Sequence, residues 1–385
     1  MQYFNFLYII LVILSVKIIC DKKEDFIKDK ISRLFPNNEN FNIFKYSSEI
    51  KNNTLLIYKL TDFALNNLIG KKVKSQIVEQ NKLYNFLLIL AQEYNSNTYP
   101  KMNSYHNLFH AAEVVQSLYI YLSKLKKNNS ILFLDTYIKQ EEELEMISNI
   151  NYNDLDIFSL IISAACHDFR HPGRNNDFYL NYKDKVPFSK ILKEYNYKLE
   201  LYHYAEAKKL IEKMNLLELL NDYQKKRFYK IMKIAIYGTD NSLNQKHAEN
   251  LIKYKNIVNI NANNLNNENI SYIDDIKLIM FECFVHAADI SNPTKETNYY
   301  ITWSDKILEE FCEQSKEIHF YDEKKDINCA EKNDKKFRES NLPFIKNIIE
   351  VFFKPFCECF PYLNYLCENI KKNKKLLEGT EKIHK

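Results

Sequence analysis

The sequence predicts an all-α protein, and three observations carry that prediction. Only 4 glycines and 8 prolines occur in 385 residues, too few turn formers for the short, regularly spaced hairpins of a β architecture. Apolar residues recur at helical spacing from about Asn40 onward, with few interruptions. No stretch of comparable length alternates apolar and polar residues as a half-buried strand does.

In chain order, the helical spacing covers residues 57–68, 84–94, 111–125, 157–165, 204–220, 228–237, 277–288, 299–312 and 344–360. The third of these shows the pattern well, with Val114, Leu118, Leu122 and Leu125 falling on one face. Three stretches between them read as surface loops: the acidic run 140–145, the asparagine-rich 256–269 and the charged 324–336. None is long enough to separate independent domains, and no internal repeat is present. The organisation expected is one compact multi-helix domain over 21–385 behind a hydrophobic segment at 1–20.

That first segment is almost wholly apolar from Tyr3 to Cys20, broken by Asn5, Ser15 and Lys17. At about 1.5 Å per residue it is barely long enough to span a bilayer. It lacks the opening positive charge and closing small residues of a secretory signal. The flank that follows carries Lys22, Lys23, Lys28 and Lys30, which favours the cytoplasmic side for everything downstream. A membrane anchor is expected, with a cleaved signal and a buried core helix as the alternatives.

Composition narrows the chemistry. Lys+Arg 54 against Asp+Glu 50, with both signs interspersed, describes a solvated surface and no dedicated nucleic-acid groove. The cluster Lys371, Lys372, Lys374 and Lys375 reads as a solvated helix end. The 8 cysteines include no CxxC and no paired spacing, and Cys166 and Cys283 sit inside apolar runs, so a reduced domain with buried thiols is expected. Neither GxGxxG nor GxxxxGK[ST] occurs. Phosphate chemistry, if present, must rest on side chains or metal.

Four clusters supply such side chains. Tyr105-His106-Asn107-Leu108-Phe109-His110 places two histidines four residues apart, on one face if the segment is helical. His167-Asp168-Phe169-Arg170-His171-Pro172-Gly173 follows an apolar run directly, so a buried helix delivers a His-Asp pair to its C-terminal end. His286-Ala287-Ala288-Asp289-Ile290-Ser291-Asn292-Pro293 follows another apolar run. Glu200 and His203 share a helical face. Polar residues at the ends of apolar helices are costly to bury unless they bind something. Imidazole with carboxylate suits zinc, and further carboxylate with water suits magnesium or manganese.

These stretches resemble the signature of class I cyclic nucleotide phosphodiesterases, an all-α family of HD-type metal phosphohydrolases. The matching motifs are YHNxxH at 105–110, HDxxHPGxxNxF at 167–178 and HxADISNPxK at 286–295, in the family's order and spacing. Leu199-Glu200-x-x-His203, Gly238-Thr239-Asp240 and Trp303 are weaker matches. The resemblance implies hydrolysis of cAMP or cGMP to the 5′-monophosphate by two divalent ions. His110, His167, Asp168 and Asp289 would ligate the first ion, in the family usually zinc. Asp168 would bridge to the second, usually magnesium or manganese, while His171, Glu200 and Asp240 orient ligands and water around both. His106 would act as general acid toward the departing ribose oxygen. Asn292 and Phe344 would contact the purine, with Tyr105 and Tyr300 lining the same pocket.

The chain departs from the family at several positions. Asn341 stands where a glutamine usually pairs with the purine edge, which leaves base preference open. Arg170 replaces a common acidic residue, Asn241 a methionine, and Tyr202 the first histidine of a pair. The glutamate that the family sets beside the acid histidine has only Glu317 as a loose counterpart. Two other functions stay open on the sequence: another HD-type phosphohydrolase, and a catalytically weak cyclic nucleotide-binding regulator. The abundance of Asn, Lys, Ile and Tyr resembles proteins of AT-rich genomes such as those of malaria parasites, whose phosphodiesterases are often membrane-anchored and often prefer cGMP. Membrane association with a cytoplasmic catalytic domain is therefore the expected localisation.

Overall fold

Asparagine side chains open several of the helices. Asn42, Asn107, Asn175 and Asn221 each accept a backbone N–H from the first turn that follows, and Asn221 forms a reciprocal capping box with Gln224. Such caps stabilise a helix start by about 1 kcal/mol each. In the computed structural model the residues described are 41–50, 52–95, 103–128, 152–258, 267–329, 334–379 and 383. The chain divides into two units, Met1–Phe41 and Asn42–Lys385. All helices among the described residues lie in the second.

In order these are α1 (Ile43–Glu49), α2 (Leu56–Leu68), α3 (Lys71–Ile77), α4 (Gln80–Asn95), α5 (Leu108–Lys127), α6 (Tyr152–Cys166), α7 (Asn176–Asn181) and α8 (Pro187–Leu192). They continue with α9 (Leu199–Lys213), α10 (Asp222–Tyr237), α11 (Asn244–Val258), α12 (Asn267–Asp289), α13 (Thr297–Tyr321), α14 (Asp334–Phe344), α15 (Glu350–Cys359) and α16 (Asn364–Glu378). No strand occurs among the described residues, as the sequence predicts.

Helix α5 packs against α2, α6 and α12, and α10 covers α6 and α12. Residues Leu108 to Leu122 of α5 are buried almost all round, as are Leu155 to Cys166 of α6, so both are central helices and not amphipathic surface ones. The serines inside α6 meet their polar demand locally: Ser159 and Ser163 donate to the carbonyls four residues back. Arg227 of α10 reaches across to Asp156 of α6 at 2.7–2.8 Å and to Asp274 of α12 at 2.7–3.0 Å. That buried fork ties three core helices at one end.

Several boundaries differ from the periodicity. The predicted helix 204–220 stops at Lys213 because Asn215 adopts φ 48°. Its neighbour Leu216 donates back to Ile211 O, a Schellman-type stop that asparagine tolerates. Helix α13 runs on to Tyr321, nine residues past the predicted end, where Ile318 and Tyr321 pack on the cluster of Phe178, Tyr179, Val186 and Leu192. The predicted helix 344–360 begins with a π turn, Ile345–Ile349, directly after Pro343 of α14. The lysines at 371–375 fall in α16, where Lys374 pairs with Glu350.

Two expectations are corrected. The cysteines do pair: Cys312 with Cys329 and Cys357 with Cys367, while Cys166, Cys283 and Cys359 are free and buried. Their separations of 17 and 10 residues resemble no motif; helix packing, not spacing, brings them together. The expected membrane localisation is also overturned. No helix among the described residues is long and apolar enough to cross a membrane. The hydrophobic segment 1–20 and the acidic run 140–145 lie outside the described residues.

Candidate active site

Three helix ends meet at one point. Helix α5 brings His110 in its first turn, α6 delivers His167 and Asp168 just past its C-terminus, and α12 ends on Asp289. Their donor atoms lie within 4.8 Å of one another. His110 Nε2 is 3.3 Å from His167 Nε2, 2.9 Å from Asp289 Oδ1 and 3.5 Å from Asp168 Oδ2. His167 Nε2 is 3.2 Å from Asp168 Oδ2 and 3.3 Å from Asp289 Oδ1. Ligands bound at about 2.1 Å with angles between 90° and 110° sit about 3.0–3.4 Å apart, so these separations are those of neighbours around one cation.

The protons agree with that reading. His167 Nδ1 donates to Ala164 O at 2.9 Å, so Nε2 is the ring nitrogen turned to the cluster. Burial opposes charge on Asp168, but His167, His106 and His171 outweigh it and hold its carboxyl well below the usual range. Asp168 Oδ2 is buried without a hydrogen-bond partner among the described residues, and so is His203 Nε2. Buried acceptors left without a hydrogen-bond partner on either side of the Asp168 carboxylate fit a cation. The residues present therefore suit a divalent metal, and a His/Asp cluster able to hold one is a feature of this site.

His106 takes a different place from the one its spacing suggests. Asn107 caps α5 with an extended backbone (φ −139°, ψ −174°), so His106 stands in the turn before the helix and not on its face. Its ring stacks on His171 with centroids 3.9 Å apart. Glu310 of α13 grips it: Oε1 lies 2.5 Å from His106 Nδ1, and Oε2 accepts the backbone N–H groups of Tyr105 and His106 at 3.0 and 3.1 Å. Burial works against a charge on His106, yet the carboxylates of Glu310 and Asp168 prevail and raise its pKa to about 9. Burial likewise opposes ionisation of Glu310, but His106 wins and lowers it to about 2. Glu317, the loose counterpart, instead pairs with Arg174 at 2.8 Å. Glu310 is the functional residue that sequence reasoning missed. Its one signal in the sequence is its position seven residues after Trp303.

Asn103 is a second omission. Its Nδ2 donates to His106 O at 3.0 Å and His171 O at 2.7 Å, clasping the two histidine segments. Gly173 turns with φ 73° against this amide, and a Cβ there would collide with Asn103 Oδ1. Gly173→Ala is expected to cost about 2 kcal/mol from the left-handed backbone and the collision, read as a lowered midpoint in urea unfolding. An unchanged midpoint would remove the steric argument.

The outer residues divide. Glu200 accepts from Asn176 Nδ2 at 3.1 Å, and burial with Asp240 nearby raises its carboxyl to about 7. Asp240 caps the following turn and pairs with Lys198 at 2.5 Å. His203, held by Phe169 O, brings Nε2 to 3.9 Å from Asp168 Oδ1. His286 does not join the cluster; it is buried against Asn244 Oδ1 at 3.0 Å. Arg170, at φ 62°, turns outward to Glu93 and Glu206.

Beside the cluster opens a cavity of about 680 Å³ lined by His106, Asp168, His171, Glu200, Asp240 and Asp289. Tyr105, Asn292, Tyr300, Asn341 and Phe344 line it too. Asn292 Nδ2 donates to Tyr105 OH at 2.5 Å, and its Oδ1 is buried without a partner among the described residues. Asn341 spends one N–H on Phe337 O at 3.0 Å. Phe344 is 36% exposed, an open aromatic face on the cavity.

Residues 105–370, from the tyrosine beside His106 to the last helix, match the 3′5′-cyclic nucleotide phosphodiesterase family. The chain belongs to that family. Among the phosphodiesterases it resembles, the probable 3′,5′-cyclic-AMP phosphodiesterase pde-4 of Caenorhabditis elegans is 25% identical over 343 residues, covering 86% of this chain and 44% of that one. The 3′,5′-cyclic-nucleotide phosphodiesterase regA of Dictyostelium discoideum is 29% identical over 279 residues, covering 71% and 29%. The chain thus spans less than half the length of these relatives. In fold it resembles the phosphodiesterase LmjPDEB1, solved with IBMX, with TM-score 0.68 at 18% identity, covering 89% of this chain and 91% of that one. The phosphodiesterase domain of the RhoPDE fusion protein of Salpingoeca rosetta is similar at TM-score 0.65 and 18% identity, covering 90% and 94%.

Proposed function

We propose that residues 42–385 form one catalytic domain that hydrolyses 3′,5′-cyclic nucleotides to 5′-nucleoside monophosphates. The observation that carries this reading is a cavity onto which open Asp168 and Asp289, two of the four converging ligand residues, together with His106, a histidine locked by the buried carboxylate of Glu310. The names of the relatives, phosphodiesterases for cyclic AMP or cyclic nucleotides, support it.

His110, His167, Asp168 and Asp289 would hold the first ion, and their mixed imidazole and carboxylate donors suit zinc. Asp168 would be shared with a second ion, magnesium or manganese, on the side of Glu200 and Asp240. When bound, such ions polarise phosphoryl oxygens and make water acidic enough to attack phosphorus near neutral pH. His171, stacked between His106 and His203, keeps the acid and the metal cluster in register. His106 enters the reaction protonated, because its pKa lies near 9. With Nδ1 fixed on Glu310, its Nε2 hands a proton to ribose O3′ as the P–O3′ bond breaks. The purine would lie on Phe344, with Asn292 Oδ1 and the free edge of Asn341 offering its polar contacts.

The test is direct. The full chain should convert cAMP or cGMP to the 5′-nucleotide, stop with chelator and resume on adding divalent metal. No 5′-nucleotide from either substrate, with zinc, magnesium and manganese supplied, overturns the proposal.

A pH profile isolates the acid. Activity should fall as pH rises through the folded pKa of His106, which Glu310 raises. Glu310→Gln removes that carboxylate, so the alkaline limb of kcat/KM should move to lower pH by about one to two units. A limb that stays in place would assign the proton to another group.

A further inference from the structure

We propose that the Cys312–Cys329 disulfide is an exchange site for a dithiol reductant, and that opening it loosens one wall of the substrate cavity. The readout in KM rests on the assignment of that cavity to the cyclic nucleotide; the bond itself does not.

After α13 ends at Tyr321, residues Asp322 to Cys329 fold back along the same helix. Residues 323–328 are all exposed, and Ile327 is 50% exposed. This stretch of the strap therefore buries no apolar anchor. It is attached to α13 by Asn328 N to Ser315 Oγ at 2.6 Å, Ser315 Oγ to Asp326 O at 3.4 Å and His319 Nδ1 to Lys325 O at 2.7 Å, all exposed to solvent, and by the disulfide. Water competes for each hydrogen bond but not for the covalent link.

What the link pins is functional surface. Asn328 lines the cavity, as do Phe311 and Gln314 of α13, one residue before and two after Cys312. Gln314 Oε1 accepts the backbone N–H of Asn175 at 2.8 Å, joining this wall to the loop below the histidines. Cys312 lies two residues beyond Glu310, which grips His106. Opening the bond leaves the strap end that carries Asn328 held only by exposed hydrogen bonds, Asn328 N to Ser315 Oγ and Lys336 Nζ to Cys329 O, while the helix bearing Glu310 keeps its own contacts, so binding should suffer more than the chemical step. The second disulfide is a built-in control: Cys357–Cys367 joins α15 to α16, and neither residue lines the cavity.

The exchange balances without another reactant. A thiolate of the dithiol attacks Cys329 Sγ, the half-buried partner, and Cys312 leaves with the electron pair and takes a proton. The second thiol of the reductant then displaces Cys329, which is protonated in turn. The protein gains two thiols and the reductant departs as a cyclic disulfide.

Full-length protein is compared before and after dithiothreitol treatment, with thiols mapped by differential alkylation and mass spectrometry. Reduction should expose Cys312 and Cys329, speed tryptic cleavage at Lys324 and Lys325, and raise KM for the cyclic nucleotide about three- to tenfold with kcat within twofold. Cys329→Ser should show the reduced behaviour without reductant and lose its response. Cys357→Ser with Cys367→Ser should keep the response. Equal cleavage rates and equal KM in both redox forms overturn the proposal, as does finding Cys312 and Cys329 alkylated in the untreated protein. If neither form turns over substrate, the functional reading falls, while thiol mapping and proteolysis still decide the latch.

Discussion

Replacing Asp168 with alanine is expected to remove bound metal and turnover together. Its carboxylate faces both sides of the cluster. Oδ2 stands 3.2 Å from His167 Nε2 and 3.5 Å from His110 Nε2, while Oδ1 stands 3.9 Å from His203 Nε2. Under the proposed assignment, truncation takes away the negative charge that two cations would share and leaves the imidazoles without their counter-charge. Metal contributes several kcal/mol of transition-state stabilisation, so turnover should drop by about 10³-fold or more. Elemental analysis beside the rate measurement separates this outcome from unfolding, since a protein that keeps its helical circular dichroism but loses metal has lost a ligand. A variant that retains both ions and half its activity would show that Asp168 is not the bridge.

Replacing His106 with alanine should cost about 10²- to 10⁴-fold in kcat and leave metal content unchanged. His106 contributes no donor atom to the four-residue cluster; its side chain is held by Glu310 and stacks on the ring of His171, and it meets the His110 ring only edge-on, with centroids 5.8 Å apart. The role proposed for it is to supply a proton, so the loss should depend on the leaving group. A phosphodiester with a nitrophenolate leaving group needs no proton, and the deficit on it should nearly vanish. Wild-type turnover of the cyclic nucleotide by His106→Ala would end the assignment. Equal deficits on both substrates would make His106 a positioning residue.

Much of this site is legible in the amino-acid sequence, for identifiable reasons. His167 and Asp168 follow an apolar run, and Asp289 closes another, so their burial at helix ends can be read from neighbouring residues alone. His110 stands out because it lies four residues from His106, although the helical face expected to unite the two does not exist: Asn107 starts the helix between them. Cap geometry depends on one backbone torsion, which spacing does not report. Glu310 escapes for another reason. It sits in an amphipathic helix among Glu309 and Glu313, and nothing local marks which carboxylate turns inward. Its partner lies 204 residues away. The disulfides escape similarly, since their cysteines are joined by the packing of α13 and its strap and of α15 and α16.

The amino-acid sequence by itself determined the helical class, the family and the histidines and aspartates that converge at the helix ends, because residue chemistry and short-range periodicity are local properties. Only the tertiary structure decided which carboxylate charges His106, which amide clasps the histidine turns and which cysteines meet. Those are contacts between distant segments, and they exist only once the buried helices have fixed where each segment lies.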